Sequence, residues 1–294
     1  MYLLFGDETD REQGGRAPFF IYGGIFVPLD RAAELHSAVE RIRLRHRFQA
    51  GDSLKFSGAE LPERISRDLH RGAKRQVLEA ASEAGVLFCA QLVSHEVARG
   101  RPQATLVEWG ANTVLGAFNL FLAEQRDRGI AVLDRLPIPH PDRFIRDKFQ
   151  VGLTFPRGGT LRLSHIICYT HTCDGASHLA SVADVVLGSF RYCVNEPDRD
   201  QAPRAILPLV VRLMWHRREG DRVVLDERGL MLRPNGLWAD RHRAVYDQLL
   251  ERLAALLVEG TAPPNAPDIT GCTALENLAL VGARAVPGTE RAGA

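Results

Sequence analysis

The sequence predicts an α/β fold: a mixed sheet of five strands flanked by helices, with an inserted helical segment and a C-terminal extension. Three observations predict it. Short apolar runs alternate with segments of helical periodicity. The first two runs are joined by a polar, Gly-containing loop and read as an antiparallel pair, whereas later runs are separated by helix-length segments, as crossover connections require. Two of the runs stop at a carboxylate, Asp7 and Asp134, which places those acids at a sheet rim.

Tyr2 to Asp7 is the first strand and Phe19 to Val27 the second, closed by Pro28. Asp30 suits the cap of a helix whose apolar positions Ala33, Leu35, Val39, Ile42 and Leu44 run to about Phe48. A second helix spans Pro62 to Ala84 after the short segment Leu54-Lys55-Phe56-Ser57, so residues 30–84 form a helical insertion. Val86 to Val93 is the third strand, Thr105 to Gln125 a long helix and Ile130 to Asp134 the fourth strand. Pro141 to Gln150 is a short helix, Leu161 to Thr170 the fifth strand, and Ser177 to Val194 a helix that closes a domain of residues 1–197. Residues 198–258 form an appended extension, with a hairpin predicted at Val223 to Leu232 around Asp226-Glu227-Arg228-Gly229. Periodicity disappears over 259–294, which reads as a weakly ordered tail.

The 294 residues carry 37 basic and 36 acidic side chains, so no whole-protein field selects or rejects a polyanion. Only Lys55, Lys74 and Lys148 are lysines, which makes each of them informative. No basic segment followed by a long apolar stretch opens the chain, and no window approaches 18 uninterrupted apolar residues; a soluble, cytoplasmic protein without a membrane partner is expected. Five scattered cysteines, Cys89, Cys168, Cys173, Cys193 and Cys272, fit reduced thiols better than a disulfide framework.

Four segments in order, Phe5-Gly6-Asp7-Glu8-Thr9, Tyr22-Gly23-Gly24-Ile25-Phe26-Val27-Pro28, Leu54-Lys55-Phe56-Ser57 and Ser177-His178-Leu179-Ala180-Ser181-Val182-Ala183-Asp184, resemble the domain of unknown function 3800 family over roughly residues 2 to 195. That family opens with Asp-Glu-Ser-Gly, follows with a Gly-Gly strand and a Glu-Leu-Lys element, and ends on a Leu-Gln-x-Ala-Asp helix. The resemblance implies a ribonuclease H-like fold and nuclease activity. It matches Asp7 and Glu8 to the opening acids, Lys55 to the lysine, Asp134 to the acid ending the central strand and Asp184 to the helix acid. Thr9-Asp10 stands in place of Ser-Gly, Ser53 where Glu is frequent and Ser181 in place of Gln, and none of these removes a carboxylate.

Hydrolysis of a phosphodiester needs an activated water and neutralisation of developing charge, which paired hard cations supply and carboxylates hold. Asp7, Asp134 and Asp184 are therefore the expected ligands for Mg²⁺ or Mn²⁺, with Glu8 assisting and Lys55 near the phosphate. The bland alternatives stand beside these readings: a turn at Asp7 and Glu8, a packing hydrogen bond at Asp184, a strand-edge cap at Lys55 and surface exposure at Glu108. His165, Cys168, His171 and Cys173 invite a zinc reading, although strand alternation separates them, and Asp174 is a helix cap or an outer acid. Arg41, Arg43, Arg45 and Arg47, and Arg212, Arg217, Arg218 and Arg222, are basic stretches suited either to nucleic-acid phosphates or to a solvated face, with DNA and RNA equally served. A metal-dependent nuclease is the reading drawn; a non-catalytic ribonuclease H-like scaffold, in a mobile-element or defence system, is the rival.

Overall fold

The computed structural model describes residues 1–10, 17–155, 159–173, 175–219, 222–234 and 240–258. β1 (Tyr2–Thr9) and β2 (Phe19–Pro28) pair antiparallel, with Tyr2 opposite Pro28 and Asp7 opposite Gly23. The chain leaves the sheet as α1 (Leu29–Arg45) and α2 (Arg67–Glu83), the expected insertion, and returns as β3 (Leu87–Ser94) antiparallel to β2. α3 (Gln103–Glu124) leads to β4 (Gly129–Asp134), which lies parallel to β1. α4 (Pro141–Gln150) and a small hairpin of β5 (Leu153–Thr154) and β6 (Thr160–Leu161) precede β7 (Ile166–Thr172), parallel to β4. α5 (His178–Asn195) closes this unit.

The extension adds α6 (Gln201–Leu213), β8 (Arg217–Glu219), β9 (Arg222–Val224), β10 (Leu230–Arg233) and α7 (Asp240–Val258). The fold is α/β, as expected, and its mixed sheet has six strands in the order β10-β3-β2-β1-β4-β7 rather than the five predicted. The extra strand corrects the expected hairpin: β9 pairs with β8, while β10 runs parallel to β3. Leu230 and Met231 explain the choice, because each is buried in a different core on either face of the sheet. Burying two such side chains is worth about 1.5–3 kcal/mol each, more than a tight turn on the surface recovers. The extension thus completes the main core instead of standing beside it. The predicted tail lies outside the described residues.

Two helical layers cover the sheet. One face carries α1, α2, α5, α6 and α7; the other carries α3 and α4. α3 is long and apolar enough to cross a membrane by length and composition, but 61% of its most apolar window is buried inside the molecule, against Tyr22, Phe26 and Leu4. Tyr22 lies so near α3 that a Cβ at Gly110 would stand 2.3 Å from the tyrosine Cβ, so the close approach requires glycine there.

Candidate active site

Strand alternation decides which acids meet. On β1, Leu3 and Phe5 join the core beneath α5 whereas Tyr2 and Leu4 face α3, so Asp7 follows Phe5 to the α5 face and Glu8 turns to the α3 face. On β4, Val132 packs on the α5 side, and Asp134, two residues on, shares that side. Gly6 pairs with Leu133, which sets Asp7 alongside Asp134, and Asp134 is in turn opposite Thr172 of β7. Three parallel strand ends therefore present Asp7, Asp134 and Thr172 in one row.

α5 brings the third acid. Its first turn is capped by Ser177, whose hydroxyl accepts a hydrogen bond from the Leu179 N–H at 3.1 Å. A Cβ at Gly23 would meet Leu187 Cδ1 at 2.7 Å and Phe88 at 3.0 Å, so glycine in β2 is what lets α5 settle this close to the sheet. Leu187 lies one turn beyond Asp184 on the same helix face, which aims Asp184 at the row of strand-end residues. Asp7, Asp134, Asp184, Lys55, Ser53 and Thr172 line one small cleft.

The remaining wall is the segment carrying Lys55, and it is held by its backbone. Asp184 Oδ2 accepts a hydrogen bond from the Phe56 N–H. Lys74 Nζ donates to the Phe56 carbonyl at 3.1 Å and stands 4.1 Å from the centre of the Phe56 ring. His70 Nε2 lies 2.7 Å from the Lys55 carbonyl, an acceptor only, so this nitrogen carries the hydrogen. A Cβ at Gly188 would stand 2.4 Å from the Phe56 Cβ, so the Phe56 ring also needs a glycine in α5. His70 and Lys74, one turn apart on α2, were not singled out as site residues from the sequence; their spacing and the rarity of lysine were the available signals.

Burial raises the Asp7 carboxyl well above the usual carboxylate range, and the charges of Glu8, Asp134 and Asp184 push the same way, against a 2.7 Å hydrogen bond from the Glu8 N–H. Oxygen donors repelling one another in this way are the set that a hard divalent cation relieves, so the residues fit Mg²⁺ or Mn²⁺ chemically. Among the described residues no group of three or more His, Cys, Asp or Glu side chains is placed to hold a metal ion. Burial lowers the Lys74 ammonium, and the nearby Asp184 charge opposes that shift.

Other expectations resolve differently. Glu8 is not among the cleft-lining residues; on the α3 face its charge adds to burial in raising the Tyr22 phenol. Asp10 is structural: Arg191 Nε and Asn195 Nδ2 both donate to its Oδ2 at 2.6 Å. Its φ of 56° lies in the left-handed region, which glycine adopts more readily than aspartate. Glu108 is half-buried on α3, where its charge bears on Lys148 of α4, away from the cleft lining. The zinc reading fails because His165 and Cys173 flank opposite ends of β7, seven residues at about 3.3 Å each, and His165 Nδ1 lies 2.9 Å from Arg128 Nη1. Cys173 instead reaches the cleft. Arg43 is buried, bonded to Glu40 and to the carbonyls of Gln49 and Asp52, and Arg217 pairs with Glu219. Asp174 lies outside the described residues.

No family model matches the chain, and no curated protein matches it. Two solved structures are similar at low identity. Ribonuclease HII from Archaeoglobus fulgidus, solved with PCNA, aligns at 13% identity and a TM-score of 0.37 over 71% of this chain and 86% of its own. A ribonuclease HIII designated Bst, solved with Mn²⁺, aligns at 12% identity and a TM-score of 0.38 over 72% of this chain and 62% of its own.

Proposed function

We propose that this chain is a divalent-cation-dependent nuclease of the ribonuclease H-like kind, related to the domain of unknown function 3800 family, that hydrolyses nucleic-acid phosphodiester bonds in the cytoplasm. One observation carries the reading: acids from β1, β4 and α5, separated by as much as 177 positions in sequence, line a single cleft together with Lys55. Structural economy alone gives no reason to assemble mutually repelling carboxylates around a half-buried aspartate.

Divalent cations held by Asp7, Asp134 and Asp184 would supply water activation and charge neutralisation. The chain's own groups supply the rest. Asp7 must be deprotonated to act as a ligand, so its proton competes with the cation and cation binding should strengthen as pH rises. Lys55 presents a point charge to the scissile phosphate, and its fixed backbone spares the ordering cost of a mobile loop. Analogy to the fold assigns a 3′-hydroxyl and a 5′-phosphate as products. A non-catalytic scaffold is favoured by one fact, that Asp184 already serves Phe56 as a hydrogen-bond acceptor.

The test is incubation of wild type and Asp7→Asn with labelled single-stranded, duplex and hybrid nucleic acids in Mg²⁺, Mn²⁺ or chelator. Metal-dependent cleavage that disappears in a folded Asp7→Asn protein supports the nuclease. Intact substrates throughout, with both proteins folded, favour the scaffold.

A further inference from the structure

We propose that the tip of the α1–α2 hairpin is a nucleic-acid backbone-binding surface that carries a strand away from the cleft; the inference rests on the nucleic-acid reading of that cleft. α1 begins where β2 ends, beside Tyr2 and away from Asp7, and α2 delivers the chain to β3 at that same far end. The connecting loop lies at the other end, because its Ser53 and Lys55 line the cleft. Charge is polarised along this hairpin. Between Arg41 and Gln76 ten Lys and Arg stand against four Asp and Glu, an excess of six in a chain whose net charge is +1. Asp30, Glu34 and Glu83 lie towards the far end, while Glu40 and Glu79, just outside this window, pair with Arg43 and Arg75.

Helix stability does not explain the pattern. Cations at the end of α1 suit its dipole, but Arg67 and Arg71 occupy the first two turns of α2, where positive charge is unfavourable. Only Asp68, bonded to Arg71, offsets them there. At about 100° per residue, the row Arg67, Arg71, Arg75 lies about 80° around α2 from the row His70, Lys74 that grips the Lys55 segment. The outer arginines thus border the scaffold of the cleft wall. Arg41, Arg47 and Arg67 are exposed, and among the described residues none of the three makes an ion pair. Such cations attract phosphates without reading sequence.

The test uses the full chain with Asp7→Asn to prevent cleavage, fluorescein-labelled duplex DNA and single-stranded RNA as probes, and anisotropy titrations across a salt series. Arg41→Gln, Arg47→Gln and Arg67→Gln combined should weaken binding at least tenfold at low salt. For the duplex, the slope of log K against log salt should fall by about 2–3, near 0.9 for each phosphate no longer neutralised. Arg31→Gln, at the far end of α1, should change neither quantity, and unfolding curves confirm that all variants fold. Equal affinity and slope in the triple variant, an equal loss in Arg31→Gln, or no binding of either probe by the parent overturns the inference. Cleavage by the wild type is scored separately, so a failed surface with intact cleavage leaves the nuclease reading standing, and intact binding without cleavage removes only the catalysis.

Discussion

Asp184 accepts a hydrogen bond from the backbone N–H of Phe56, a residue 128 positions earlier, and so joins the last helix of the sheet unit to the segment that presents Lys55. Replacing Asp184 by Ala strands a partly buried donor and should cost about 1–3 kcal/mol. Asp184→Asn retains an oxygen acceptor and should recover most of that stability. Both variants should lose metal-dependent cleavage. Chemical denaturation beside an activity assay checks this; equal stability of Asp184→Ala and wild type would show that the bond carries no weight.

Asp7→Asn should be more stable than wild type at neutral pH without divalent cations. A carboxyl whose folded pKa lies above its unfolded value, near 4, loses stability as pH rises from the unfolded to the folded pKa, and the deficit persists above both. The neutral amide avoids it. The gain expected is on the order of 1 kcal/mol, roughly 2–4 °C in Tm. Thermal unfolding at several pH values should show the two proteins converging in acid. Added Mg²⁺ should raise the Tm of wild type only.

Gly188→Ala reaches the site through packing. Its new methyl would stand 2.4 Å from the Phe56 Cβ, so the Phe56 segment has to move and Lys55 with it. A stability loss of about 1–3 kcal/mol is expected, with a rise in KM larger than the fall in kcat if Lys55 serves phosphate binding. Steady-state kinetics alongside Lys55→Ala tests the link, since the two variants should shift KM in the same direction.

Asp10 sets backbone strain against polar contacts. Glycine relieves the left-handed φ, but removes the acceptor shared by Arg191 and Asn195. Asp10→Gly should be net destabilising by about 1–2 kcal/mol and Asp10→Asn by less. Urea unfolding midpoints decide; a more stable Asp10→Gly would mean that strain dominates.

The acids at strand ends were legible because an apolar run that halts at a carboxylate has only a rim to stop at, and Asp7 and Asp134 do so. Helix periodicity likewise exposed the insertion and α5, with α4 placed at Pro141–Gln150 as observed. The hairpin at 223–232 was misread because a polar turn between apolar residues looks local, whereas Leu230 and Met231 are claimed by cores built from distant chain.

By itself the sequence determined which groups have the chemistry, three acids and a scarce lysine, and on which elements they ride, since polarity and periodicity are local properties. Tertiary structure alone decided that Asp7 faces α5 while Glu8 does not, that Asp10 is tied to Arg191 and Asn195, that His70 and Lys74 hold the Lys55 segment, and that β10 completes the sheet. These outcomes depend on which face of a strand is covered and by what, and that is set by packing between segments far apart in the chain.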